Sequence, residues 1–163
     1  MRIYLASPTG FSPEHKTYRD RVKARLVALG HVVVDPWDED FSMLFRLDEK
    51  MSYDARLRYN RWVGDHIARK NHDALQSCEV VLGLLDGTEP DSGTVAECAF
   101  GAGVGKVVYG LRTDWRDSGD MSGIPINLQV LYFIETSGGK LFRTVDEVSI
   151  PLTFPWAHDK VGA

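Results

Sequence analysis

The feature that most constrains the fold of this chain is an unbroken apolar run followed by a loop and a helix start. Val80, Val81, Leu82, Gly83, Leu84 and Leu85 carry no polar side chain, and the turn Asp86-Gly87-Thr88-Glu89-Pro90 ends them. Next come Asp91-Ser92-Gly93-Thr94-Val95-Ala96-Glu97 and a stretch of small residues that closes at Gly105-Lys106. A strand apolar throughout must be covered on both faces, as strands inside parallel sheets are. Strand, glycine loop and helix start in that order mark the edge at which open α/β sheets hold their ligands. The loop region carries two carboxylates, Asp91 and Glu97, and paired carboxylates are the working groups of glycosidic-bond chemistry.

The rest of the chain repeats the alternation. Residues 3–6 read as a short strand broken by Ser7-Pro8-Thr9-Gly10. Residues 14–29 read as a helix with Tyr18, Val22, Leu26 and Leu29 on one face and Gly30 as its stop. A strand is expected over 31–35, ended by Pro36, and a long helix over 53–76 with Val63, Ile67 and Ala74 facing inward. Strand over 79–85, helix over 94–104 and strand over 106–111 follow. A polar loop over 113–123, a fifth strand over 130–134, a turn at Gly138-Gly139 and a short last helix over 144–148 complete the reading. Residues 38–52 have no clean period and read as a loop or short helix over the pocket, and the tail holds Pro151, Pro155 and Trp156. Strands alternating with helices predict an α/β fold: a doubly wound, mainly parallel, five-stranded sheet with helices on both faces. At 163 residues, one domain spanning the chain is expected.

Composition narrows the function classes. With 44% hydrophobic residues, 26% charged residues and a net charge of −4, the chain reads as a cytoplasmic globular protein. It has no basic block to track a nucleic-acid polymer, whereas a nucleoside needs a pocket rather than a field. No apolar run approaches the roughly 20 residues of a membrane helix, and the strand-like start leaves no signal peptide. Cys78 and Cys98 form no metal or CxxC pattern and read as reduced, buried small residues. The histidines lack ligand spacing, so neither a metal nor another cofactor is expected. Ser7, Ser92 and Cys98 have no triad partners. Gly101, Gly103 and Gly105 lie inside or after a helix, which rejects a dinucleotide fingerprint.

Each candidate residue has two readings. Thr94-x-x-Glu97 fits a capping box, yet a helix N-terminus also holds a carboxylate ionised, as a nucleophile must be. Asp91 reads as a turn residue or an acid. Asp73 reads as a solvated helix position, and a helix that precedes a strand ends at the wrong edge of the sheet for a site. Tyr4 reads as core, Asn127 as a loop residue, and Phe11 and Trp37 as core or as rings that stack on a base.

Taken together, in order and spacing, Ile3-Tyr4-Leu5-Ala6-Ser7-Pro8, Asn71-His72-Asp73, Asp91 through Glu97 and Asn127-Leu128 resemble the nucleoside 2-deoxyribosyltransferase family. The resemblance implies a flavodoxin-like sheet and transfer of a 2-deoxyribosyl group between nucleobases, with retention, through a covalent glycosyl-glutamate intermediate. It places Glu97 on the nucleophile and Tyr4 on the residue that positions it. Asp73 and Asp91 fall on acids that contact the base and protonate it as it leaves. Asn127 falls on a sugar-hydroxyl contact that in some members comes from a neighbouring subunit. Ser7, Phe11, Trp37, Ser92 and Gly93 are the further substrate-binding candidates. The implied partners are nucleosides, nucleobases and further copies of the chain, and Tyr132-Phe133 and Pro155-Trp156 offer apolar contact surface.

Cys98 departs from the glycine that many members have after the nucleophile, and residues 38–52 match nothing in the family, which leaves base preference open. A rival reading is a nucleoside 5′-monophosphate N-glycosidase. Relatives of that kind tend to carry Ser six positions before the glutamate, where this chain has Asp91, whose charge repels a phosphate. Ser7, Ser92, Arg19 and the helix start near Thr94 can still bind one. A third reading is a non-catalytic nucleoside or nucleotide sensor, for which Glu97 would be dispensable.

Overall fold

The computed structural model describes residues 1–45 and 51–154. In chain order the strands are β1 (Arg2–Ala6), β2 (Val32–Val34), β3 (Val80–Leu84), β4 (Val107–Leu111) and β5 (Leu141–Phe142). The helices between them are α1 (Lys16–Ala28), α2 (Tyr53–Gln76), α3 (Ser92–Gly103) and α4 (Leu128–Thr136). The strands form one sheet in the order β2-β1-β3-β4-β5, with every neighbouring pair parallel. This is the doubly wound α/β architecture that the alternation predicts, and its switch point lies between β1 and β3.

Side chains leave the strands with period two. Ile3 and Leu5 of β1 pack with Val22 and Leu26 of α1 on one face. Tyr4 and Ala6 point the other way, into a cluster with Leu75 of α2, Cys98 of α3, and Val130 and Ile134 of α4. The α1 face is completed by Val145, Val148, Ile150 and Phe154 of a C-terminal strap, and so carries one helix and an irregular segment. Both cysteines are free and buried, as their isolation in the sequence suggests. Among the described residues no helix is long and apolar enough to cross a membrane.

Two elements differ from the sequence reading. Residues 130–134 are part of α4, not a strand. A short apolar run fits either state by periodicity. Here Asn127 decides, because its side-chain oxygen accepts from the backbone N–H groups of Gln129 and Val130 and so caps a helix. Val130 and Ile134, one turn apart, then face the core. The fifth strand is instead Leu141–Phe142, just after the Gly138-Gly139 turn. Residues 145–147, expected within a last helix, form a turn in the strap. Pro36–Asp38, at the entry to the region without a clean period, and Ser42–Phe45 within it are short 3-10 turns. Residues 46–50 of that region and Pro155-Trp156 lie outside the described residues.

One buried cation fastens the loops at the carboxyl edge. Arg112 follows β4 and is 0% exposed. Its Nη1 donates to the carbonyls of Leu85 (2.6 Å) and Gly87 (2.7 Å). Its Nη2 donates to the carbonyl of Arg116 (2.8 Å) and to Ser118 Oγ (3.2 Å). The guanidinium thus ties the loop that follows β3 to the loop that follows β4. Arg112→Met keeps the chain length but leaves these acceptors without a donor. We expect a loss of about 3 kcal/mol or more, read as a lower urea midpoint at unchanged m-value. A variant as stable as the parent would show the clamp to be dispensable.

Candidate active site

The site begins with one bond between two elements far apart in sequence. Tyr4 is fully buried on β1, and its hydroxyl donates to Glu97 Oε1 of α3 at 2.7 Å. Burial, then the charge of Glu97 and the bond to it, push the Tyr4 phenol well above its ordinary range, so it stays a donor. Glu97 is half-buried. Burial raises its pKa and the charge of Asp91 adds to the rise, while the Tyr4 bond opposes both.

Asp91 sets where α3 starts. Its Oδ2 accepts from Thr94 N (2.8 Å) and Thr94 Oγ1 (3.0 Å), so Asp91 is the N-cap and Thr94 the third helical residue. Helix α3 therefore begins two residues earlier than the sequence reading placed it. The capping box reading of Thr94 and Glu97 gives way: Glu97 lies in the second turn, and its partner is Tyr4. Cys98, the next residue, packs beneath α3 with its thiol pushed up to about 12 by burial and by the charge of Glu97. It fits because β3 has Gly83 opposite; a Cβ there would stand 2.5 Å from Cys98 Sγ.

Glu97 opens onto a cavity of about 350 Å³. Asp91, Gly93 and Thr94 of the α3 start line one side, and Ser7 of the loop after β1 lines the floor. Phe11, Pro36, Trp37, Phe41 and Phe45 form an aromatic wall, with Ile67 and Asn71 of α2 and Glu39 completing it. Phe11 meets Trp37 edge-on, with ring centroids 4.7 Å apart, and at 80% exposed it stands at the rim rather than in the core.

The wall is held from behind. Trp37 Nε1 donates to the Ser7 carbonyl at 2.8 Å, and Trp37 N donates to Asp35 Oδ1 at 3.0 Å. Asp35 is buried and pairs with Arg19 (3.4 Å) and Lys23 (3.2 Å), and Lys23 also holds Asp38 at 2.6 Å. The ring lies directly on Gly10, where a Cβ would come within 1.9 Å of Trp37 Cδ2.

Of the residues expected from the sequence, the fold brings Ser7, Phe11, Trp37, Asp91, Gly93 and Glu97 to this cavity, with Tyr4 bonded beneath it. Ser92 is exposed at the helix start and does not line it. Asp73 stays outside: its side chain is 78% exposed and meets only His72 Nδ1, at 3.3 Å. Asn127 lines a separate recess of about 210 Å³ between α3 and α4, with Val95 and Cys98. Asn71, Glu39, Phe41 and Phe45 were not anticipated. The signal for Asn71 was present, because the face of α2 that carries Val63 and Ile67 at i, i+4 continues to Asn71, whereas Asp73 falls two residues beyond, on the far side. Among the described residues, no cluster of three or more His, Cys, Asp or Glu could hold a metal ion.

A family model described as nucleoside 2-deoxyribosyltransferase matches residues 3–129. No curated protein matches the chain. Among solved structures the chain is similar to a conserved protein from Enterococcus faecalis V583, at TM-score 0.66 and 19% identity over 90% of this chain and 93% of that one. It is similar to a 2-deoxyribosyltransferase from Bacillus psychrosaccharolyticus at TM-score 0.60 and 20% identity, covering 90% and 89%. It is also similar to a CMP N-glycosidase from Clostridium botulinum at TM-score 0.50 and 12% identity, covering 90% and 94%. At these identities the likeness is one of fold.

Two measurements check the electrostatics without any substrate. In a ¹³C titration of side-chain carboxyls, Glu97 should titrate above the ordinary glutamate range. Tyr4→Phe removes the one bond that favours the charged form, so it should move that titration further up; a downward or absent shift would contradict the assignment. Because the folded-state pKa of Glu97 is raised, its ionisation opposes folding, and stability falls as pH rises through the window between the ordinary and the raised value. Glu97→Gln should therefore melt higher than the parent above that window and level with it below. A Gln variant that melts lower than the parent at neutral pH would sink this reading.

Proposed function

We propose a reaction from one premise: the chain belongs to the nucleoside 2-deoxyribosyltransferase family. The protein moves a 2-deoxyribosyl group from one nucleobase to another through a covalent bond to Glu97. The observation that carries this reading is the Tyr4–Glu97 pair opening onto an aromatic-walled cavity beside the start of α3.

The base lies against Trp37 and Phe11, and the sugar sits over Glu97. Tyr4 holds Oε1, which leaves Oε2 to attack the anomeric carbon. The N-glycosidic bond breaks with its electron pair on the base, and a new C–O bond forms to Glu97. Asp91 Oδ1, the oxygen that Thr94 leaves open, relays a solvent proton to the departing base. An acceptor base then enters the same space. It gives its proton up to solvent through Asp91 and displaces Glu97, whose C–O bond breaks, and two inversions give net retention.

The raised pKa of Glu97 suits the step: a carboxylate less stabilised by its surroundings is a better nucleophile, provided the pH leaves it ionised. Asn127 would then serve the sugar in a neighbouring copy's site, a role supported by the exposure of Leu128 and Tyr132 on the same helix.

The test is exchange against hydrolysis. Deoxyinosine with excess adenine should yield deoxyadenosine and hypoxanthine, while deoxyinosine alone should yield little free base. Glu97→Ala should lower exchange by about three orders of magnitude or more. Hypoxanthine released at the same rate with and without adenine would replace transfer by hydrolysis. A Glu97→Ala variant that exchanged at the parent's rate would remove the covalent step.

A further inference from the structure

We propose that Asn71 reads the nucleobase, and that its neutral amide, a donor beside an acceptor, lets one site take bases presenting either an amino or an oxo group. The inference rests on the function proposed above and assigns the recognition step to a residue outside the expected acids.

The placement comes first. Asn71 lies one turn after Ile67 on α2, and both line the cavity into which Glu97 opens. The other polar side chains on that surface are engaged. Ser7 Oγ bonds Thr9 Oγ1 at 2.8 Å, Asp91 accepts from Thr94, Glu97 accepts from the Tyr4 hydroxyl, and Glu39 pairs with Lys70 at 3.5 Å. Among the described residues, the Asn71 amide has no hydrogen-bond partner at all. A half-buried amide with no protein partner, set on the wall of an apolar cavity, is free to bond a ligand in place of water.

The chemistry of the amide then fixes what it recognises. A carboxamide presents a carbonyl acceptor next to an amino donor. Adenine presents an amino donor next to a ring-nitrogen acceptor, and hypoxanthine an oxo acceptor next to a ring N–H. Turning the amide by half a rotation complements either edge. A carboxylate cannot do this, because it only accepts. Nor can Asn71 deliver a proton, so the proton for the departing base falls to Asp91. Recognition and proton transfer are thus divided between α2 and the start of α3.

The experiment measures equilibrium binding of free adenine and free hypoxanthine by calorimetry from pH 8 down to about pH 4, where an ordinary aspartate is about half protonated, alongside the exchange assay. The parent should bind both bases. Asn71→Leu, which keeps bulk and removes both polar groups, should weaken both by about tenfold. Asn71→Asp should be weak near neutral pH and recover toward the parent as pH falls, because the protonated carboxyl again presents a donor beside an acceptor. A residue with only a structural role would not produce that pH dependence.

Parent-like affinity for both bases in Asn71→Leu, or a flat ratio of variant to parent affinity across pH in Asn71→Asp, overturns the assignment while exchange by the parent leaves the proposed function standing. A parent that neither exchanges nor binds either base overturns the function, and this inference with it. Melting temperatures of the variants within a few degrees of the parent exclude misfolding as the source of a loss.

Discussion

The pairing of β1 with β3 is the constraint on which the rest of the molecule depends. The two strands run parallel in register, with Tyr4 beside Val81 and Ala6 beside Gly83. The chain leaves β1 toward α1 on one face and leaves β3 toward α3 on the other. The crevice between those exits is where an open sheet has room for a ligand. It also explains how Tyr4 and Glu97, separated by 93 positions, come to share a proton. Tyr4 points to the α3 face because its neighbours Ile3 and Leu5 are needed on the α1 face. The contact of Gly83 with Cys98 lets α3 settle near enough to β3 for Glu97 to reach the hydroxyl.

Glu97 is therefore a compromise set by position. Burial and Asp91 work against its charge, and the Tyr4 hydroxyl works for it. A carboxylate fully satisfied by its surroundings would be stable and inert; one with no donor at all would be harder still to ionise. A single phenol donor on one oxygen lies between these limits. Asp91 contributes twice, as the cap that fixes the helix start and as the nearby charge, so the geometry and the electrostatics of the site share one residue.

Much of this architecture is legible in the amino-acid order. The apolar run at 80–85, the turn at 86–90 and the carboxylates at 91 and 97 carry local signals, and those are the signals that single sequences hold best. What fails to read through are choices made by partners distant in sequence. The run at 130–134 is equally apolar as strand or helix, and only the capping by Asn127 and the docking of Val130 and Ile134 against α3 settle it. Glu97 fits a capping box on paper because Thr94 precedes it by three, but the cap is Asp91. A search for acids stops at Asp73, whereas the helix face that carries Ile67 brings Asn71 to the cavity.

The two halves of the cavity are stabilised independently. The aromatic wall hangs on contacts within residues 7–38: the Trp37 bonds to Ser7 and Asp35, the close seat on Gly10, and the cations Arg19 and Lys23 that compensate a buried Asp35. The carboxylates depend instead on β1, β3 and the first turns of α3. Among the described residues, no side-chain hydrogen bond joins the wall to the Tyr4–Glu97 pair, and the Trp37 bond to the Ser7 carbonyl ties the wall to the end of β1. Helix α2 adds the third surface, and it packs on the domain chiefly through Val63 and Leu75. A change at Asn71 or along the wall can thus alter the shape and polarity of the cavity without moving Glu97 off Tyr4. A change at Gly83 or Cys98 would displace α3 and so alter the Tyr4–Glu97 pair itself.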